Sequence, residues 1–380
     1  MNFSFSNEQQ LLADTVQRFV REHYTFEKRR EILGSQTGWS REIWQELAGL
    51  GLTALNVPEE HGGLGGGPVD TLLVMQALGA GLLLEPFLGA AVHAPALLAS
   101  MPSTPAAEAL LPAIAGGEIV LAVAHQEPDG RGELHRVTTR AERDGDDFVL
   151  TGKKAVVMHG HAADEYLISA RTSGAPRDAE GTAVFRLPRD TQGLSVNAYR
   201  TFDGQGACDL ELNAVRLPAS SLLGSGEAAQ QALEAAYHVA LSALCAEAVG
   251  IMKAVNTTTL EYTKNRKQFG QPISRFQVLQ HRMVDMFIHA EQATSMSYLA
   301  AIKCTDPDLR ERRRALSAAK VAIGQAGRYI AQQAVQLHGG MGMTDELIVS
   351  HYFKRLTAID LTFGDTDHHL QQFVAHAMNP

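Results

Sequence analysis

The rhythm of apolar and polar residues changes twice along the chain. Over residues 1–118 apolar positions recur at helical spacing. Leu11, Leu12, Val16, Phe19 and Val20 fall on one face, and Ser6 with Gln9 three residues later has the form of a capping box. The stretch GWSREIW starts another helix with Ser40 as N-cap. From 119 to 222 short β-branched runs take over. RVTTRAERDGDDFVLTGKKAVVM carries an Asp-Gly turn at 144–145 and a Thr-Gly turn at 151–152, which predicts antiparallel hairpins. YLISART, GTAVFRL and CDLELNAVRL continue that texture. Helical spacing returns over 223–380: Leu241, Leu244, Ala248, Ile251 and Val255 share one face, and Leu316, Ala319, Ile323, Ala326, Ile330 and Leu337 another. The expected fold is α+β, mainly α, with an N-terminal helical domain (1–118), a middle antiparallel β-domain (119–222) and a C-terminal four-helix bundle (223–380). Two interdomain clefts follow, and ligands often sit in such clefts.

The run HGGLGGG (61–67) breaks the first helical region. It has neither GxGxxG spacing behind a strand nor the Lys-Ser/Thr ending of a phosphate loop, so it reads as a flexible connection between helices. A length of 380 residues fits two or three domains, and 45% hydrophobic with 20% charged residues is ordinary for a soluble globular protein. A net charge of −9 and no basic stripe argue against nucleic acid or anionic lipid as partners. Cys208, Cys245 and Cys304 are scattered, with no CxxC pair, which fits a reducing compartment. The N-terminus has no signal-peptide pattern, and the apolar stretch 71–100 is broken by Glu85, Pro86 and Pro95, so no membrane span is expected there. A cytoplasmic enzyme or enzyme subunit is the expectation.

Two segments of the C-terminal region carry more specific information: NRKQFGQPISRFQVLQHRMVDM (265–286) and QLHGGMGMTDE (336–346). At this separation, on helices behind a β-region, they resemble the acyl-CoA dehydrogenase family of flavoproteins. The resemblance covers essentially the whole chain, including FSNEQQLLADTVQRFV and GLTALNVPEEHGGLGGG. In detail the chain resembles the small subunit of bacterial enzymes of the pimeloyl-CoA dehydrogenase type, which pair two unlike family members. The resemblance implies FAD as cofactor, shared across a subunit interface, and an acyl-CoA thioester as substrate. It also implies a carboxylate base that removes a proton beside the thioester while the flavin N5 accepts a hydride. An electron-transfer flavoprotein as acceptor follows by analogy only.

By the same resemblance, the half-site offered to a neighbour's cofactor is intact. Arg266 would pair with the FAD pyrophosphate, Phe269 would pack on the cofactor, and Gln277 would lie near its ribityl-adenosine part. Gln336, Gly339 and Gly340 would let backbone approach the adenosine. The half-site for the chain's own flavin is altered. HQEPDGRGELHRVTTRAE (125–142) matches a loop that usually reads TEPGAGSD, with Gln126 for Thr and Gly132 for Ser. KKAVVMHGH (153–161) matches QKMWITNG, so that Val156 replaces a Trp over the ring and Met158 replaces a Thr or Ser that hydrogen-bonds the flavin.

The family's base is also displaced. In LTFGDTDHHL (361–370), aligning Gly364 puts Phe363 where the Glu usually stands and Asp365 where a Thr meets the FAD phosphate. The alternative base position, on the earlier helix, falls at Ala240, next to Leu241. Glu247 lies seven residues on, roughly 10 Å along a helix and too far to substitute directly. Asp365 and Glu247 remain the candidate bases, with helix capping for Asp365 and burial against a cation for Glu247 as the competing readings. His368 and His369 lack metal-ligand spacing, and no metal is expected. Three functions stay open. The chain is a catalytically incomplete subunit of an α2β2 acyl-CoA dehydrogenase that completes a partner's FAD site. Alternatively it is a self-sufficient, homo-oligomeric dehydrogenase, or a flavin-free scaffold subunit.

Overall fold

The computed structural model describes residues 4–130, 132–178 and 180–378. Along the chain run α1 (Asn7–His23), α2 (Phe26–Gly34), α3 (Arg41–Gly49), α4 (Pro68–Ala80), a π-helical segment (Phe87–His93), α5 (Ala94–Ser100) and α6 (Pro105–Ala115). The strands follow: β1 (Leu121–Ala124), β2 (Arg140–Asp144), β3 (Asp147–Met158), β4 (Glu165–Arg171), β5 (Thr182–Pro188), β6 (Leu194–Arg200), β7 (Gly206–Pro218) and β8 (Leu222–Ser225). Then come α7 (Gly226–Asn265), a small hairpin of β9 (Lys267–Gln268) and β10 (Gln271–Pro272), α8 (Gln277–Lys303), α9 (Leu309–His338), α10 (Ile348–Leu361) and α11 (Thr366–Met378). This is the expected order of helices, strands and helices. Tertiary contacts divide it into two compact units, Met1–Arg30 with Pro68–Leu83 and Leu241–Pro380, and Glu31–Gly67 with Leu84–Ala240.

The second unit is built on an eight-stranded sheet of order β6-β7-β3-β2-β4-β5-β8, with β1 paired to β4. Most pairings are antiparallel, but β1 and β2 both run parallel to β4. The Asp-Gly signal makes the β2–β3 hairpin, where Asp144 faces Asp147. The Thr-Gly signal does not make a turn: Thr151 and Gly152 lie inside β3, at a register shift against β7. A Cβ on Gly152 would come within 2.6 Å of Thr139 Oγ1, so this glycine permits close strand approach instead. One apolar core forms within the sheet, around Tyr166, Phe185, Leu187 and Leu210. A second joins Leu121, Leu167 and Val184 to α5, α6 and the first turns of α7.

The glycine run at 61–67 is not a loose connection. Leu64 N–H donates to Ala54 O, Gly65 N–H to Val57 O and Gly66 N–H to Leu55 O, and a Cβ on Gly63 would lie 1.9 Å from Val57 O. Glycine is needed there because the loop folds tightly on itself, not because it moves.

In the first unit, Ser6 and Gln9 form the capping box that starts α1. The four-helix core of α7, α8, α9 and α10 is extended by α11, which packs on α9. Gly327 of α9 lets Met252 of α7 and Leu356 of α10 close to about van der Waals contact around it. Helix α4 meets α7 backbone to backbone, since a Cβ on Gly250 would lie 1.9 Å from Gln76 O and one on Gly79 would lie 2.4 Å from Glu247 O. Helix α7 is long and apolar enough to cross a bilayer, but 83% of its apolar window is buried in protein, as in a core helix.

Candidate functional site

Three groups of residues carry the candidate chemistry. The first lies at one end of the helical unit. Arg266 follows the last turn of α7, and its N–H donates to Tyr262 O at 2.8 Å. Phe269 and Gly270 form the turn of the β9–β10 hairpin, with φ of 52° and 76°. Two residues at positive φ are what a tight two-residue hairpin requires, and here the first is a phenylalanine. Phe269 stands 91% exposed, with Phe276 alongside at 6.0 Å between ring centroids. Gln277 opens α8, and Gln336, Gly339 and Gly340 end α9. All six residues expected to serve a neighbour's cofactor are therefore solvent-exposed on this unit. Among the described residues the Arg266 guanidinium makes no ion pair, and nothing lies within 4 Å of where a Cβ on Gly339 or Gly340 would be. An exposed cation and uncovered glycine backbones on one unit fit the anionic pyrophosphate and flat adenosine of FAD.

The second group is buried in the β-unit. Lys154 of β3 donates to Glu127 Oε1 at 2.9 Å, to Ser169 Oγ at 3.0 Å and to His125 O at 3.2 Å. Glu127 also accepts from Thr138 N and Thr139 N at 2.7 and 2.8 Å, and from both threonine hydroxyls. His125 Nε2 lies 2.7 Å from Leu134 O and so carries the proton, leaving Nδ1 to accept from the Ser169 hydroxyl at 2.9 Å. Burial would raise the Glu127 carboxyl, but Lys154 and the threonine donors hold it down at about 2, while burial pulls the Lys154 amine down to about 8. At neutral pH the two stay ionised. Every strong donor in this network is already used, which makes it a clamp on the 125–139 loop rather than a reactive centre. Composition gave no sign of it, although Lys154 inside an apolar strand was a visible signal.

The positions that the resemblance would place against the chain's own flavin, Val156 and Met158, offer little to hold a ring. Val156 is 44% exposed, and its N–H is taken by Asp209 Oδ1 at 2.8 Å. Met158 at the end of β3 has a thioether where an O–H donor would be needed.

The third group concerns the base. Glu247 is buried in a two-pronged ion pair, with Arg355 Nε 2.6 Å from its Oε1 and Arg355 Nη2 2.8 Å from its Oε2. Asp365 is exposed and caps α11, accepting from His368 N at 2.8 Å. Ala240 and Leu241 are buried and apolar. Phe363 adopts φ of 59°, followed by Gly364 at 97°. That turn is fastened from below: buried Lys320 donates to Asp360 O at 2.8 Å and Gly364 O at 2.7 Å, and His369 Nε2 lies 2.9 Å from Phe363 O. Asp360 itself takes Arg328 Nη2 and the Thr366 hydroxyl, both at 2.7 Å. Lys320 lies among the apolar positions of α9, and a lysine in that stripe was the one sequence signal for this anchor.

Backbone strain marks the same segments. Six non-glycine residues among those described have positive φ, and four of them (Val156, His159, Phe269 and Phe363) lie in the stretches 153–161, 265–286 and 361–370. Valine and phenylalanine avoid this conformation unless the surroundings impose it, and such outliers concentrate at functional sites.

Comparison with known proteins agrees with the fold and the motifs. The family descriptions "Acyl-CoA dehydrogenase, N-terminal domain", "middle domain" and "C-terminal domain" match residues 6–118, 122–215 and 228–378. The chain belongs to the acyl-CoA dehydrogenase family. Acyl-CoA dehydrogenase FadE12 of Mycobacterium tuberculosis is 31% identical over 357 residues, covering 91% of this chain and 89% of that protein. The structure of the Tcur3481-Tcur3483 steroid ACAD superposes with a TM-score of 0.87 at 28% identity, over 97% of both chains. That of the ChsE4-ChsE5 complex from Mycobacterium tuberculosis does so with a TM-score of 0.87 at 25% identity, over 100% of both.

Proposed function

We propose that this chain is a catalytically incomplete subunit of a cytoplasmic, heteromeric, FAD-dependent acyl-CoA dehydrogenase of the small-subunit type. It completes the FAD site of a second family member, which carries the base. When bound, FAD would supply the hydride acceptor for acyl-CoA dehydrogenation. This chain's part is to bind and orient: Arg266 neutralises pyrophosphate charge, Phe269 covers the cofactor, and Gln277, Gln336, Gly339 and Gly340 accommodate the adenosine side. By family analogy the electrons pass to an electron-transfer flavoprotein.

One observation carries this reading. Both candidate carboxylates have structural roles, Glu247 engaged twice by Arg355 and Asp365 capping α11, whereas the residues that would serve a neighbour are solvent-exposed. A similar structure is a complex of two differently named chains, ChsE4 and ChsE5, which favours a heteromer over a homo-oligomer. The exposed Arg266 favours cofactor completion over a flavin-free scaffold.

The test is the visible spectrum, with FAD quantified per chain. The protein purified alone is expected to be colourless and to gain flavin and activity only when co-expressed with a family partner. A yellow homo-oligomer with one FAD per chain, bleached by an acyl-CoA, would refute the proposal. In the loaded complex, Arg266→Ala should lower FAD content, and unchanged content would point to the scaffold instead.

A further inference from the structure

We infer that Tyr262 and His338 are positioning residues for the cofactor-completing surface: their stacked rings hold Arg266 and the Gly339–Gly340 turn in one fixed arrangement. This rests on the proposed function and adds to it the element that makes the surface rigid.

Arg266 and the glycines come from different elements, the end of α7 and the end of α9, and each is exposed. Side chains on an exposed surface cannot hold a preorganised site unless something beneath them is fixed. The Tyr262 and His338 rings lie 4.2 Å apart between centroids at an interplanar angle of 29°. The Tyr262 hydroxyl also donates to His338 O at 3.3 Å, so ring and hydroxyl both engage the same residue. Tyr262 sits one helical turn before Arg266 and accepts its N–H, and Ile273 N–H donates to Arg266 O at 2.8 Å, which ties the hairpin to the same point. On the other side, His338 immediately precedes Gly339, whose N–H caps α9 on Gln336 O.

The imidazole is built for packing rather than exchange. Its Nδ1 lies 2.8 Å from Ala334 O and so carries the proton, while Nε2 is buried with no partner. Burial lowers its pKa, so the ring stays neutral and flat against the tyrosine. The turn after α9 also packs close to His338, since a Cβ on Gly342 would lie 3.0 Å from His338 Cβ and 2.8 Å from Val335 O. The stack joins the Arg266 segment to the Gln336–Gly340 segment.

The test uses the flavin-loaded assembly obtained by co-expression, from which FAD is removed and rebound while flavin fluorescence is followed. His338→Ala is expected to weaken FAD binding by about 3- to 10-fold, the scale of an aromatic pair. His338→Phe, which keeps a stacking ring, should stay within about 2-fold of the parent. Arg266→Ala should weaken binding in the parent and do so less in the His338→Ala background, because a misplaced guanidinium has less to lose. If His338→Ala fails to fold, Tyr262→Leu, a half-buried position, is read by the same criteria. Parental affinity in His338→Ala or Tyr262→Leu, or strict additivity with Arg266→Ala, would overturn the inference while leaving the proposed function standing. An Arg266→Ala variant with parental affinity would instead overturn the proposed function, and the inference with it.

Discussion

Glu247 separates the two ways in which this chain could relate to proton transfer. As a structural ion pair its removal should damage the fold, whereas as a base its removal should damage only turnover. Its side chain is 8% exposed and that of Arg355 4%, with both carboxylate oxygens engaged at 2.6 and 2.8 Å. Truncating one partner of such a pair strands the other charge in a low-dielectric interior, which costs about 3–5 kcal/mol. Two charge-assisted hydrogen bonds at about 1.5–3 kcal/mol each give the same scale. With an unfolding entropy of about 2.1 cal/mol/K per residue, a chain of 380 residues would lose about 5 °C of Tm for 4 kcal/mol. Glu247→Ala and Arg355→Ala should each show this shift by differential scanning calorimetry. The double variant should lose less than the sum, because the stranded charge is gone. An unshifted Tm in Glu247→Gln, together with lost turnover in an assembly that keeps its flavin, would refute the structural assignment and make Glu247 the base.

Three further outcomes are expected. Asp365→Asn should leave both Tm and turnover nearly unchanged, since asparagine caps as well as aspartate, while Asp365→Ala should cost about 0.5–2 kcal/mol in chemical denaturation and still spare turnover; a selective loss of turnover in Asp365→Asn would mark it as a base. Acid should destabilise the fold through His369 and His125, which burial and the nearby Lys320 and Lys154 hold down to about 3 and about 4. A lowered folded-state value means that the unfolded chain binds more protons, so stability is lost as pH falls below the ordinary 6.5. At pH 5 that amounts to about 2 kcal/mol for the buried His369 and less for the half-buried His125, and a urea midpoint that stays flat from pH 7.5 to 5 would contradict it. Gly250→Ala should lower the urea midpoint by the equivalent of about 1–3 kcal/mol, because the new methyl would meet Gln76 O at 1.9 Å, backbone that cannot rotate away; a neutral effect would mean that α4 and α7 part more readily than their packing implies.

Local signals were the readable part of this chain. Ser6–Gln9 and Ser40 cap the helices that their spacing predicted, and the Asp-Gly step turns β2 into β3, because each depends on residues a few positions apart. Glycine was ambiguous. Gly152 and the run at 61–67 look like breaks in the pattern, but their use is set by Thr139 and Val57, partners that periodicity cannot see. That the family's base positions fall on Phe363 and Ala240, neither of them a carboxylate, was legible in the sequence by resemblance. What holds those positions was not. Arg355 is 108 residues from Glu247 and Lys320 is 44 residues from Gly364, and pairings at that separation leave no trace in a single sequence.

The turn at Phe363–Gly364 is firmly held although the residue at the family's base position is a phenylalanine. Burying an ammonium is unfavourable unless its donors are satisfied, and Lys320 is fully buried with two main-chain carbonyls of this turn as acceptors. Asp360, Arg328, Thr366 and His369 fasten the same few residues from other sides. Relaxing Phe363 out of its left-handed conformation would break the contacts of His369 and Lys320 with this turn. The turn is held against that relaxation. The resemblance would put a catalytic carboxylate at the position of Phe363. On the proposed reading the shape itself is what is kept, together with the Arg266 surface, because a partner that carries the base must still dock against a subunit of fixed form.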